Sequence, residues 1–202
     1  MDVRLVSPAD RDGVQRVVLR AFGDEGPPIL AVLDHLRARE DVRAELVAEV
    51  EGEVVGFVAL SRGWLDARER LVDVLVLSPL GVLPDQQRQG IGAALLAAAL
   101  RAGASLGAPL IFLEGDPGYY ARLGWEAAQS YGIERPSERI PEAACQLVLL
   151  AAYESWMTGR LIYPDAWWRL DLVGLRDPAL AQFERDAAGG VRRDVGTKSV
   201  TL

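Results

Sequence analysis

The sequence is poor in the residues from which several common functional sites are built. Its 202 residues include one cysteine, Cys145, and one histidine, His35. A single cysteine cannot form an internal disulfide, and together these two residues cannot supply the usual ligands of a zinc site. A Ser-His-Asp or Cys-His arrangement would have to use His35, which lies in a charged helical stretch typical of a surface histidine. We therefore expect no metal and a reducing, cytoplasmic location.

Positive charge and long apolar runs are also scarce. The formal net charge is −7, which disfavours a nucleic-acid binder because such proteins normally present a basic face. No apolar run approaches the length of a membrane span, and the first ten residues lack the basic-then-apolar pattern of a signal peptide. Half of the residues are apolar, enough for a sizeable core. We expect neither nucleic acid nor a membrane as a partner.

Residues 75–100 have the pattern of a strand, a glycine-bearing loop and a helix. The apolar run 74–77 is typical of a strand buried on both faces. Pro84 ends it, and an Ala- and Leu-rich helix follows Gly90 and Gly92. The first turn of a helix has N–H groups without internal partners and a partial positive charge. The loop therefore has the features of a pyrophosphate site, although a plain strand-turn-helix with packing glycines is the alternative. The proposed main-chain donors are Arg88, Gln89, Gly90, Ile91, Gly92 and Ala93.

Two well-known phosphate motifs do not fit this loop. A Walker loop needs Lys and Ser or Thr after its last glycine, and a dinucleotide fingerprint needs three glycines and a later acidic residue. The spacing Gln87-x-x-Gly90-x-Gly92 instead resembles the acetyl-CoA-binding motif of the GNAT family of N-acetyltransferases. Residues 115–125, GDPGYYARLGW, are similar to the GDPxYYxRxGF segment of a bacterial GNAT subgroup, with Trp125 in the place of the usual Phe.

The resemblance implies an α+β (mixed α/β) fold with a central mixed sheet of about seven strands, flanked by helices. In this fold the two central parallel strands splay apart, and we expect a bulge near Leu80 to Val82, at Gly81, to cause it. The pantetheine arm of acetyl-CoA would then pair with the main chain of Leu80, Gly81 and Val82 as a surrogate strand. We predict a GNAT domain over residues 1–152. Residues 153–202 would form a C-terminal extension packed on it, with a mobile tail from Gly189.

The same resemblance implies transfer of an acetyl group from acetyl-CoA to a primary amine by direct attack in a ternary complex. Tyr120 matches the family tyrosine that protonates the departing thiolate, and a free phenol keeps its proton at neutral pH because its pKa is about 10. Glu114 is a candidate base for the amine proton, with Asp73 as a second. An N–H near Val82 would polarise the thioester carbonyl.

Several questions stay open at this point. One alternative is a non-catalytic acyl-CoA-binding or sensor module, and another is transfer of a different acyl group or to a hydroxyl acceptor. The identity of the amine acceptor is unknown. Trp167 and Trp168 suggest a segment anchor or the contact of a homodimer, with binding of a ligand as the less favoured alternative.

Outside this region, hydrophobic periodicity predicts the remaining elements. A first helix is predicted to start at Ser7-Pro8-Ala9-Asp10, with Ser7 or Asp10 as its cap, and to continue to Phe22. A second is predicted over residues 29–39, after a break at Gly26-Pro27-Pro28. The predicted strands cover residues 3–6, 45–50, 54–61, 110–113, 125–128, 145–151 and 160–163. Polar loops are predicted over residues 62–70 and 129–142.

Overall fold

The structure is a computed structural model, and it describes residues 1–174. Its strands are β1 (Asp2–Leu5), β2 (Val42–Val50), β3 (Glu53–Ala67), β4 (Leu71–Val82), β5 (Leu110–Glu114), β6 (Glu126–Ala127), β7 (Ile133–Glu134), β8 (Cys145–Leu149) and β9 (Gly159–Ile162). Its α-helices are α1 (Arg11–Phe22), α2 (Gly26–Ala38), α3 (Ile91–Ser105), α4 (Pro117–Tyr120) and α5 (Asp165–Arg169). The mobile tail predicted from Gly189 lies outside the described residues.

These strands form one mixed sheet. Their order is β1-β2-β3-β4-β5-β8-β6, while β9 pairs with β3 and β7 pairs with β9. The pairs β4–β5 and β7–β9 are parallel, and the other pairs are antiparallel. The predicted α+β fold class is confirmed. Among the described residues the sheet has nine strands rather than about seven, because the short β7 escaped prediction and β9 adds an outer strand.

Helices cover both faces of the sheet. A Cβ built on Gly56 of β3 would approach Leu95 of α3 at 2.9 Å. A Cβ on Gly81 of β4, which points to the other face, would approach Phe22 of α1 at 3.0 Å. Because successive strand residues point to opposite faces, both faces of β4 are buried. The apolar run 74–77 is accordingly buried throughout, as predicted.

Strand β3 is longer than predicted. The sequence predicts a strand over 54–61 followed by a polar loop, but β3 continues to Ala67. In its second half, buried Gly63, Leu65 and Ala67 alternate with less buried residues. This alternation is the period of a half-buried strand, and it was hard to recognise because Arg62 and Asp66 make the stretch look like a polar loop.

Helix α2 also begins earlier than predicted. Gly26-Pro27-Pro28 forms its first turn instead of a break between helices. Proline is tolerated there because the first N–H groups of a helix have no internal partner. As a result Glu25 precedes α2 directly, and Phe22 at the end of α1 lies close by along the chain.

The parallel strands β4 and β5 run together only briefly before they separate. Within the described residues they share two register pairs, Leu75 with Ile111 and Val76 with Phe112. Beyond Val76, β4 continues for six residues to Val82 on the β3 side of the sheet, while β5 ends at Glu114. The predicted splay of the central parallel strands is therefore present.

The irregularity in β4 lies earlier than the sequence suggests. Two residues of β4, Ser78 and Pro79, lie opposite the single residue Ala59 of β3. The flanking register pairs are Leu60–Leu77 and Val58–Leu80. The bulge expected at Gly81 is thus at Ser78-Pro79, because proline has no N–H to donate to the ladder. Gly81 stays in register opposite Phe57, and its missing side chain admits α1.

The segment after residue 152 packs against the same sheet. Strand β9 pairs antiparallel with the end of β3, from Trp64–Ile162 to Ala67–Gly159. Helix α5 follows, and Trp167 packs in one buried cluster with Leu36 of α2. This arrangement brings β9 and α5 beside the separated ends of β4 and β5.

We predict that Gly159→Ala destabilises the protein by about 2 kcal/mol or more. Gly159 has a φ of +143°, and a Cβ there would collide with the Asp66 carbonyl oxygen. Urea unfolding measures the effect. The control is Gly107→Ala, which has a φ of +72° and open space around the new Cβ, and should cost about 1 kcal/mol. Equal losses in the two variants would contradict the close pairing of β9 with β3.

Candidate active site

A cavity of about 290 Å³ opens where β4 and β5 separate. One wall is the bulged part of β4, from Val76 to Leu80, and another is the segment that follows β5. The C-terminal segment closes a further side. The lining side chains with polar or aromatic chemistry are Phe22, Glu25, Ser78, Glu114, Asp116, Tyr119, Tyr120, Tyr163 and Trp167. The cavity has roughly the volume of a small-molecule site.

The loop before α3 has the geometry expected of an anion site. Gly90 is the N-cap of α3 with a φ of 83°, a left-handed conformation that favours glycine. Helical hydrogen bonding begins with the N–H of Ala94, which donates to the Gly90 carbonyl at 3.0 Å. The N–H groups of Ile91, Gly92 and Ala93 precede that bond and have no helical partner.

Two glutamine side chains donate hydrogen bonds to main-chain carbonyls, one at the end of β4 and one within the loop. Gln87 Nε2 donates to the Val82 carbonyl at 3.2 Å, and Gln89 Nε2 donates to the Asp85 carbonyl at 3.4 Å. Gln87 is the first residue of the motif, so its side chain ties the loop to the end of β4.

The loop and the cavity are neighbours. A Cβ built on Gly92 would lie 3.3 Å from Tyr119 Oη and 4.0 Å from Val82 Cγ2. Tyr119 in turn lines the cavity. A molecule held by the first turn of α3 could therefore extend past Tyr119 to the gap between the strands.

Tyr120 lines the cavity, and its ring lies against the backbone of Gly115. A Cβ on Gly115 would overlap the Tyr120 ring, so only glycine allows the ring to lie on this backbone. Trp125 contacts Tyr120 edge to face, with ring centroids 6.1 Å apart. The helix that carries Tyr120 begins at Asp116, whose carboxylate accepts from the Gly118 N–H at 2.8 Å.

Glu114 also lines the cavity, and a buried phenol holds its carboxylate. Tyr163 at the end of β9 donates a hydrogen bond to Glu114. Burial first, and then the charge of Glu114, raise the pKa of Tyr163 well above its usual value. Tyr163 therefore stays protonated and remains a donor to Glu114.

The predicted site residues do not all lie in one place. Leu80, Glu114 and Tyr120 line the cavity, whereas Gly81 and Val82 continue β4 beyond it. Asp73 lies elsewhere: it is exposed near the start of β4, with its Oδ1 3.2 Å from Arg62 Nε. Its place in the strand register turns it to solvent, so Asp73 is not a base for this cavity.

Sequence reasoning missed most of the C-terminal wall. The sequence pattern places Tyr163 only at the end of a predicted strand, and the Trp167-Trp168 pair indicates mainly a segment anchor or a dimer contact. Trp167 is 4% exposed and lines the cavity. Its Nε1 has no hydrogen-bond partner within residues 1–174. Trp168, by contrast, is exposed and donates to the Tyr163 carbonyl at 3.3 Å. No motif marks this wall, because β9 and α5 reach the site only through long-range pairing.

The described part of the chain gives little support for a cysteine nucleophile, a metal site or a membrane-spanning helix. Cys145 is buried and faces a different cavity, and burial raises its pKa to about 12. No group of three or more His, Cys, Asp or Glu within residues 1–174 is placed to hold a metal ion. Over the same residues, no helix is both long and apolar enough to cross a membrane.

Comparison with known proteins agrees with this geometry. Residues 43–127 match the family model described as an acetyltransferase (GNAT) domain. The chain is 25% identical over 166 residues to the uncharacterized N-acetyltransferase YjhQ of Escherichia coli K12, covering 80% of this chain and 91% of that protein.

Two solved structures are similar over most of the chain. One is the GNAT family N-acetyltransferase YhbS from Escherichia coli in complex with CoA, with a TM-score of 0.75, 26% identity, and coverage of 86% of this chain and 94% of that one. The other is a GNAT family acetyltransferase from Brucella melitensis in complex with acetyl-CoA, with a TM-score of 0.64, 27% identity, and coverage of 82% and 97%. Residues 43–127 therefore match a GNAT acetyltransferase domain, and the fold of the chain is similar to that of GNAT family acetyltransferases.

Proposed function

We propose that this protein transfers the acetyl group of acetyl-CoA to a primary amine by direct attack within a ternary complex. The observation that carries the proposal is the cavity between β4 and β5. It brings Glu114 and Tyr120 to one space beside the N-terminus of α3. The similar structures from Escherichia coli and Brucella melitensis hold CoA and acetyl-CoA, which supports acetyl-CoA as the co-substrate here.

In this proposal the diphosphate of acetyl-CoA accepts hydrogen bonds from the main chain of Arg88, Gln89, Gly90, Ile91, Gly92 and Ala93. The pantetheine arm follows the outer edge of β4 along Leu80, Gly81 and Val82. That edge has no β5 neighbour beyond Val76 among the described residues, and pantetheine amides can supply the missing pairing. The thioester then reaches the cavity.

The chemical step needs a neutral amine and a protonated leaving group. Glu114 takes the proton of the ammonium ion, and the free amine attacks the thioester carbonyl carbon to form a C–N bond. The carbonyl electrons move to oxygen and return as the C–S bond breaks. Tyr120 donates its proton to the departing sulfur, and the attacking nitrogen then loses its second proton, which restores the Tyr120 phenol. Glu114 releases the first proton to solvent, and the products are the acetylated amine and CoA.

The residues that line the cavity favour direct attack by the amine over a mechanism that passes through an acyl-enzyme intermediate. A cysteine nucleophile must be a thiolate, but Cys145 does not line the cavity and its pKa is raised to about 12. The single histidine, His35, is exposed on α2 and is not a lining residue. The cytoplasmic location and the homodimer both stay predictions, and the dimer contact would have to use Trp168, because Trp167 is buried.

We predict that Gly92→Asp weakens CoA binding at least tenfold, measured by calorimetry. The new carboxylate would lie on the first turn of α3, where it repels the diphosphate and occupies space near the N–H donors. An acidic residue in the first turn favours the helix itself, so the fold should be kept. Ala97→Asp, exposed on the same helix, is the matched control and should bind CoA normally. Unchanged affinity in Gly92→Asp would rule out this anion site.

We predict that Tyr120→Phe lowers kcat by about 10²-fold or more and leaves CoA affinity nearly unchanged. Phenylalanine keeps the ring that covers Gly115 and contacts Trp125, so only the proton donor is lost. Release of free thiol during turnover measures the rate. Tyr119→Phe is the control, and its effect on kcat should be small. If Tyr120→Phe keeps full activity, Tyr120 is not the acid.

We predict that Glu114→Gln lowers kcat/KM about 10²-fold at pH 7. Glutamine can still accept the Tyr163 hydrogen bond, so the wall should stay intact. The defect should shrink as the pH rises toward the pKa of the acceptor amine, because the free amine then arrives without needing a base. Glu69→Gln, exposed between β3 and β4, is the control. A defect that does not change with pH would argue against Glu114 as the base.

A further inference from the structure

A second cavity, of about 500 Å³, lies apart from the one between β4 and β5. Its lining comes from residues 128–142, from the start of β8 and from β9, and among the described residues the two cavities have no lining residue in common. The buried residues of this lining are Ala128, Ile133 and Cys145. The proposed acetyl transfer uses none of its groups, so the chemistry of this cavity has to be explained separately.

Arg135 places a half-buried cation in the second cavity. Its side chain is 28% exposed, its Nη1 lies 3.9 Å from Glu142 Oε1, and its charge is close enough to act on the Cys145 thiol. Because Glu142 and Cys145 also line the cavity, the guanidinium lies inside it. The distance to Glu142 is too long for a hydrogen bond, and Arg135 donates none to any residue of the described chain. Its nitrogen atoms are not among the buried ones that lack a partner, so a ligand can reach them.

A guanidinium in this state favours a ligand with two neighbouring oxygens. Its parallel N–H donors match the oxygens of a carboxylate or a phosphate, and donors that are left without an acceptor cost free energy that a bound anion recovers. Cys145 does not supply the anion, because burial first, and then the charge of Glu114, raise its pKa to about 12 and keep the thiol neutral. Ser137 adds a donor: its Oγ accepts from the Arg139 N–H at 3.2 Å, which leaves the hydroxyl hydrogen for a ligand.

Glu138 and Glu142 determine which anion fits beside Arg135. Both glutamates line the cavity and are exposed, and within residues 1–174 neither carboxylate accepts a hydrogen bond. The third glutamate of the lining, Glu134, accepts from Arg160 Nε at 2.9 Å. A phosphate would bring its negative charge next to two carboxylates without a cation of their own. A ligand with an ammonium group beside its carboxylate instead gives each protein charge an opposite partner.

The spacing of the protein charges determines the spacing of the ligand charges. Arg135 Nη1 and Glu142 Oε1 are 3.9 Å apart. A carboxylate bound to the first and an ammonium group bound to the second must therefore be adjacent in the ligand. In an α-amino acid a single carbon atom joins these two groups, whereas an ω-amino acid separates them by a chain.

We propose that the second cavity binds a free α-amino acid, with its carboxylate on Arg135 and its ammonium group on Glu142 and Glu138. Its side chain lies beside Pro136, a half-buried apolar residue of the lining. Cys145 of this cavity pairs in register with Glu114 of the first cavity, so the two sites are neighbours on the β5–β8 strand pair. The proposal does not depend on the acetyl transfer, because the residues that hold the amino acid take no part in that reaction.

Titration calorimetry of the full chain with four small molecules tests the proposal. The first is leucine. Of the others, 4-methylpentanoate lacks the ammonium group of leucine, 3-methylbutylamine lacks its carboxylate, and 6-aminohexanoate carries both charges at the ends of a chain. We expect leucine to bind, and each of the other three to bind at least tenfold more weakly, because each loses a charge-assisted hydrogen bond.

Arg135→Gln tests whether leucine binds in this cavity. The variant should bind leucine at least tenfold more weakly, while the weak binding of 3-methylbutylamine, which has no carboxylate, stays the same. Arg135 has no hydrogen bond to lose within the described residues, so the midpoint of urea unfolding should be unchanged. Arg68→Gln is the matched control and should bind leucine normally, since Arg68 is exposed between β3 and β4 and lines neither cavity.

Three results would overturn the proposal. The first is the absence of binding heat when folded protein meets millimolar leucine. The second is 4-methylpentanoate binding as tightly as leucine, since the acidic side chains would then have no part in recognition. The third is an unchanged affinity for leucine in Arg135→Gln, which would place the bound leucine elsewhere, for instance in the first cavity as an acceptor.

Discussion

The separation of β4 from β5 is the constraint on which the site depends. Two parallel strands that stayed paired would fill the middle of the sheet and leave no space for a substrate. The bulge at Ser78-Pro79 redirects β4 while its far side remains paired with β3. Unpaired main chain in a sheet is costly, so the gap is stable only because β3, α1 and α3 support β4 from three other directions. A bound molecule that pairs with that edge satisfies the unpaired main-chain groups and removes this cost.

The sequence was most informative where local chemistry dictates local structure. The glycine loop before α3 could be predicted because a left-handed N-cap and exposed helix N–H groups require particular residues at fixed spacing. The buried run of β4 was equally clear from its apolar side chains. The location of the bulge was not, because both Pro79 and Gly81 are compatible with one. Only the pairing with β3 shows that Gly81 stays in register.

The C-terminal wall was the least predictable part of the cavity. Glu114 and Tyr120 could be proposed from the sequence because Glu114 directly precedes a recognisable motif and Tyr120 lies within it. Tyr163 and Trp167 are about forty residues further along the chain, and nothing near them marks them as site residues. They reach the cavity because β3 extends to Ala67 and offers its edge to β9. The sequence predicts a strand that ends at residue 61, so it does not predict the pairing of β3 with β9 that attaches this wall.

Because the wall is attached in this way, the residues that would hold acetyl-CoA are separate from the residues that shape the C-terminal side of the cavity. The features that would hold acetyl-CoA are main-chain groups at the edge of β4 and the first turn of α3, and these tolerate little change. The C-terminal wall is attached to β3 by the backbone pairing of β9. Trp167 lies on α5, apart from the β4 edge and the first turn of α3, so a substitution there changes the cavity without replacing any of those main-chain groups. A fold built in this way can keep one donor and exchange its acceptors.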